Sequence, residues 1–144
     1  MATSRIENGD SNVVGKMENG DRIILNFNKA MDTTHMGTEF NIQALDGDPT
    51  MVAIDSTSSG QIAWVRTDGK HYTTGANINF TGSTGVWSDN NKTLTITLTN
   101  SDGTSATGLT ADTLTLFMFG GARGADGIDG IWYESITTDS PSSF

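Results

Sequence analysis

The sequence predicts an all-β protein, an antiparallel β-sandwich of about seven to nine strands. Three observations carry this. In Thr93-Leu94-Thr95-Ile96-Thr97-Leu98-Thr99, threonine and aliphatic residues alternate. Successive strand side chains point to opposite faces, so Leu94, Ile96 and Leu98 share one face and the threonines the other, whereas a helix would scatter them. Similar short runs recur along the 144 residues with turn-forming residues between them. No segment of helical period is long enough for a substantial helix, and no internal duplication occurs.

Composition agrees. Gly, Thr, Ser and Asn are plentiful, and charged residues make up 17%, below a typical soluble chain. β-Branched residues with turn formers favour short strands and tight turns. Recurrent aliphatic and aromatic runs exclude a wholly disordered chain. The formal net charge is -9 and the pI about 4.3. Such a surface repels nucleic acid and anionic membrane, and the scattered Lys and Arg form no basic stripe. Cysteine is absent, which excludes disulfide scaffolds and Cys-ligated zinc or iron–sulfur sites. No apolar run approaches transmembrane length. Met1 to Glu7 lacks the apolar region of a signal peptide, so the expectation is a protein made in the cytoplasm, unless cut from a larger exported chain.

In chain order, residues 1–12 read as an N-terminal arm or edge strand, 13–134 as the sandwich and 135–144 as a tail. Arg5-Ile6 and Val13-Val14 are short apolar pieces around the turn Asn8-Gly9-Asp10. Asn19-Gly20 is a hairpin-turn pair, and Ile23, Leu25 and Phe27 alternate after it, so residues 13–28 read as a strand pair or bent strand. Asp32-Thr33-Thr34 is suited to capping one helical turn. Strands follow at Phe40 to Leu45, Met51 to Ile54 and Gln61 to Val65, with Trp64 and Trp87 as core residues. Asn77 to Phe80 is a poorer strand, and Val86-Trp87 leads through the turn Ser88 to Lys92 into Thr93–Thr99. Residues 100–112 read as a loop in which Leu109 is the one large apolar residue. Thr113 to Phe119 is a strand, Gly120 to Gly130 a glycine-rich loop, and Ile131 to Glu134 a final strand before a polar tail that extends away.

The stretch Gly15-Lys16-Met17-Glu18-Asn19-Gly20-Asp21, the strand Arg22 to Asn28 and the loop Lys29-Ala30-Met31-Asp32 resemble the immunoglobulin-like modules of bacterial surface-layer proteins and adhesins. Val86 to Leu98 resembles a later strand pair of the same modules, and the likeness covers roughly residues 13 to 99. The resemblance implies an immunoglobulin-like sandwich used as a spacer, adhesive unit or displayed module, without catalytic residues. Two features depart from it: a chain with its own Met and no export signal, and the glycine-rich loop. Such modules also decorate tailed-phage virions. The leading expectation is therefore a non-enzymatic capsid decoration or cement protein on the virion, clamping major capsid subunits as a homo-oligomer. The alternatives are a bacterial cell-surface module and a carbohydrate-binding module for a cell-surface glycan. Expected partner contacts are Ala2, Thr3, Ser4, Arg5 and Ile6 in the N-terminal arm, and Trp132, Tyr133 and Phe144 in the C-terminal region. Edge strands and arms are natural places for strand addition between chains.

Other chemistry is weighed against simpler explanations. The two histidines, His35 and His71, sit in polar loop contexts, and no Gly-x-Ser-x-Gly surrounds a serine, so exposed loop histidines are favoured over catalysis. Asp126, Asp129, Asp46 and Asp48 are calcium candidates because carboxylates and carbonyls suit a hard cation. They lack the spacing and closing Glu of an EF-hand loop, and turn chemistry is the stronger explanation. Gly120 to Gly124 lacks the Gly-Lys-Ser/Thr ending of a phosphate loop, leaving a flexible connection or a close subunit contact. Trp132-Tyr133 is the sugar-stacking candidate, although packing is the commoner fate of such aromatics. No cofactor is expected.

Overall fold

Each alternating run becomes a strand that buries its apolar set on one side. The structure, a computed structural model, describes residues 2–10, 12–47, 50–67, 71–109, 114–128 and 135–137. Its strands are β1 (Ala2–Glu7), β2 (Arg22–Phe27), β3 (Glu39–Leu45), β4 (Met51–Ser56), β5 (Gly60–Thr67), β6 (Ile78–Ser88), β7 (Thr93–Thr97), β8 (Leu114–Met118) and β9 (Ser135–Thr137), with one helical turn, α1 (Thr33–Met36). Asp32 caps α1 by accepting from the His35 N–H at 3.0 Å, as its sequence position predicts.

The strands form a single nine-stranded antiparallel sheet in the order β1-β2-β7-β6-β3-β4-β5-β8-β9. The all-β antiparallel class and the strand number agree with the sequence. Pairing is continuous, so the layers are parts of one curved sheet joined by hydrogen bonds. β3, β4 and β5 form a meander, and β6 returns beside β3, which is a Greek key. The sheet curls until β1 lies beside β8 and β9, so it is almost closed. β1 and β9 remain its edges.

One core fills the inside. Ile23, Leu25, Phe40, Ile54, Phe80, Leu94, Ile96, Leu114 and Leu116 are 0% exposed. Truncating Phe40 to Ala removes about 3–5 kcal/mol by the usual cavity cost. Gly85 sits among these inward positions, and a Cβ there would lie 2.4 Å from the Phe40 ring. The glycine is what lets that ring lie across β6.

Several expectations are corrected. Residues 12–21 are loop, not strand, and Val13 and Val14 are 56% and 72% exposed. Two adjacent valines without alternation have no common face to bury. β6 runs far beyond Phe80, through Thr81 to Ser88, where the glycines disguise a strand. Trp64 is only half-buried on the outer face, because Ala63 and Val65 take the inward positions of β5. Trp87 packs partly on the core, stacks on Phe27 with centroids 6.1 Å apart, and donates from Nε1 to Gly37 O at 2.9 Å. The tail expected to extend away from residue 135 begins inside the sheet, as β9 paired with β8. The described part of the glycine-rich loop, residues 120–128, is pinned against its neighbours. Met31 bridges to Gly124, Ala125 N donates to Ala30 O at 2.9 Å, and a Cβ on Gly121 would meet Gln61 O at 2.3 Å.

Antiparallel alternation sends the connections alternately to two ends. Among the described residues, 8–10, 12–21, 46–47, 50, 71–77 and 98–109 gather at one end, and 28–38, 57–59, 89–92 and 119–128 at the other.

Candidate functional site

The outer face of β6, β3 and β4 carries the polar members of three alternating strands. Gln43 pairs with Asn79 on one side and Ala53 on the other, and Asn41 pairs with Asp55. Together with Thr81 and Ile42 they line a shallow dish of about 250 Å³. Register shifts bracket it, one between Phe40 and Ile42 against β6 and one between Ile54 and Asp55 against β5. Bulges bend a strand and re-aim side chains, so a flat outer face becomes concave here.

Part of the lining is held in place from outside. Asn41 Oδ1 accepts from Gly82 N at 3.0 Å. Asn79 donates from its backbone N–H at 2.7 Å and from Nδ2 at 2.8 Å to the Asp102 carboxylate, and these bonds hold the Asp102 carboxyl below the usual range. Asp55 lacks such help, and loss of surrounding water pushes its carboxyl above the usual range.

An aromatic strip continues the same outer face. Ala53 pairs with Trp64 on β5, and Trp64 with Phe117 on β8. Trp64 leans on Phe119 with ring centroids 5.2 Å apart, and the Arg66 guanidinium lies 5.5 Å from the Phe117 centroid. Asn79, Gln43, Ala53, Trp64 and Phe117 thus form one row across five strands, polar at one end and aromatic at the other.

The described residues among those singled out from the sequence are dispersed. Within β1, Ser4 and Ile6 are each 3% exposed and face inward. Arg5 is exposed and Thr3 half-buried. Arg5 pairs with Glu7 at 3.2 Å, and Glu7 also with Arg22 at 2.8 Å. Ala2 belongs to β1 by its backbone. Trp132, Tyr133, Phe144, Asp48 and Asp129 lie outside the described residues. Asp126 binds Lys29 Nζ at 3.2 Å and the Ile128 N–H at 3.1 Å, bonds of a turn and a surface ion pair. No group of three or more His, Cys, Asp or Glu poised to hold a metal occurs among the described residues.

His35 sits at α1 and His71 at the opposite end of the sheet. His71 Nε2 lies 3.2 Å from Asp46 Oδ1, and Thr73 Oγ1 donates to the same oxygen at 2.5 Å. The hydroxyl binds the carboxylate and not the imidazole, so this trio is not arranged as nucleophile, base and orienter. The Thr73 hydroxyl, then His71, hold the Asp46 carboxyl below the usual range.

At the same end, Asp21 is fully buried. Its Oδ1 accepts from Gly9 N and Asn12 Nδ2, each at 2.8 Å, and its Oδ2 from Glu18 N at 2.9 Å. Burial nonetheless dominates and pushes its carboxyl up. The Asp21 backbone continues the ladder past β2 and β7, since Leu98 N donates to Asp21 O at 2.8 Å. Met17 lies beneath this loop at 2% exposure and donates from its N–H to Ser105 Oγ at 2.9 Å.

No family model matches the chain, and the comparisons with curated proteins and with solved structures yield no match.

Proposed function

We propose that the protein is a non-enzymatic structural accessory subunit of a tailed-phage virion, a capsid decoration protein that binds neighbouring capsid subunits through its terminal strands. The observation that supports this reading is the seam of the sheet. Both edges, β1 and β9, come from the ends of the chain, and β1 lies beside β8 and β9 without a ladder between the two edges among the described residues. Edge strands are natural places for strand addition by another chain. Arg5 and Thr3 are the outward members of β1, available at its rim. The acidic surface favours solubility and leaves phosphate backbones an improbable target.

The experiment adds the purified protein to capsid shells assembled without it and images them. Saturable density at fixed lattice positions, with the terminal strands at the contact, supports the reading. A protein that leaves the shells bare overturns it in favour of a bacterial surface module.

A further inference from the structure

We propose that the outer face of β6, β3, β4 and β5 binds an uncharged, hydroxyl-rich ligand, a short oligosaccharide lying across the strands. Asn41, Gln43 and Asp55 hydrogen-bond its hydroxyls, and Trp64 stacks against a sugar ring.

The chemistry of the lining selects this class. Asn41 and Gln43 carry amides that both donate and accept, Asp55 accepts, and Thr81 does either. No residue lining the dish is cationic, and Arg66, on the same face of β5, lies against the Phe117 ring, so the dish itself offers no charge to a phosphate or carboxylate. The lining holds one carboxylate, too few oxygen ligands of that charge for a hard cation. A sugar needs such mixed donors and acceptors for its hydroxyls, and an apolar surface for its C–H face. Ala53 and Trp64 supply that surface one and two strands from Gln43. The row from Asn79 to Trp64 crosses three strand spacings, roughly 14 Å, which is longer than a single ring needs.

The site is also preorganised. Gly82 fixes Asn41, Asp102 fixes Asn79, and the two bulges set the curvature, so little freedom is lost on binding. This inference does not rest on the terminal-strand reading. It concerns a face built from internal strands, and capsid binding and saccharide binding are measured separately.

The test is a titration of the ¹⁵N-labelled protein with maltotriose, cellotriose, mannotriose and chitotriose, followed by amide shifts. The expected result is that at least one moves the signals of Asn41, Gln43, Ala53, Asp55 and Asn79, with an affinity on the order of 1 mM. Asp55→Asn and Gln43→Ala then each weaken binding about tenfold while the dispersion of the remaining amide signals is kept, because both side chains lie on the outer face. The proposal is overturned if none of the four sugars moves a signal at about 20 mM. It is equally overturned if the shifts map elsewhere on the molecule, or if Asp55→Asn binds as the parent does.

Discussion

Two loops at the same end of the sheet are each tied by one aspartate, and they differ in what water does. Asp21 is buried, and it holds Gly9, Asn12 and Glu18 of the loop before it. Asp46 stands in solvent, where it holds His71 and Thr73. Both carboxylates are hydrogen-bonded, yet burial drives the Asp21 carboxyl upward while hydrogen bonding drives the Asp46 carboxyl downward. A hydrogen-bonded aspartate thus makes a buried structural knot in one place and a solvated clasp in the other. Desolvation decides which.

Substitution of Asp21 by Ala is the largest test of the difference. It strands the Gly9 and Glu18 N–H groups under the loop and lowers stability by about 3 kcal/mol, read as a fall in the urea midpoint. Gly9→Ala attacks the same knot from the backbone. Its Cβ would meet Gly20 O at 2.4 Å, and a loss of about 1–3 kcal/mol follows from the overpacking. Asp46→Ala gives the smallest loss of the three, because water replaces its bonds. Equal losses at Asp21 and Asp46 would erase the distinction drawn between them.

Acidity sharpens the comparison further. The Asp21 carboxyl is raised above its ordinary 3.8, so its contribution to stability is full below that value and is lost as pH rises through the folded-state value. The Asp46 carboxyl is lowered, so its contribution is full above 3.8 and is lost as pH falls through the folded-state value. Unfolding curves of the parent, Asp21→Asn and Asp46→Asn between about pH 2 and pH 7 report both. Relative to Asp21→Asn the parent gains stability on acidification just above 3.8, and relative to Asp46→Asn it loses stability below 3.8.

Strands with clean alternation were legible in the sequence. The apolar sets of β2, β3, β7 and β8 face the core as their spacing requires. β6 was not legible beyond Phe80, because Gly82 and Gly85 are ordinary turn residues until the Phe40 ring is known to need the space at Gly85. Trp64 was misplaced by its size. The inward Ala63 and Val65 on either side of it fix its direction by period two, and that signal outranks hydrophobicity. The knot at Asp21 was invisible because a turn aspartate reads the same whether buried or not. The outer-face dish was also invisible. Asn41, Asp55 and Asn79 are unremarkable polar positions until β6 is seen to return beside β3, and non-local pairing leaves no mark in a single sequence.

The strand order also sets a timetable for the ribosome. β2 pairs with β1 and with β7, and β3 to β6 are all made between β2 and β7. At a synthesis rate of about 5–20 residues per second, Ile23 and Leu25 wait several seconds for Leu94 and Ile96, their cross-strand partners. For that interval the nascent chain carries a hairpin with an open, apolar edge. The meander β3-β4-β5 pairs strands that are neighbours in sequence, so it needs nothing that is made later. Among the described strands, β9 is the last to emerge, and it adds to the edge that β8 leaves open.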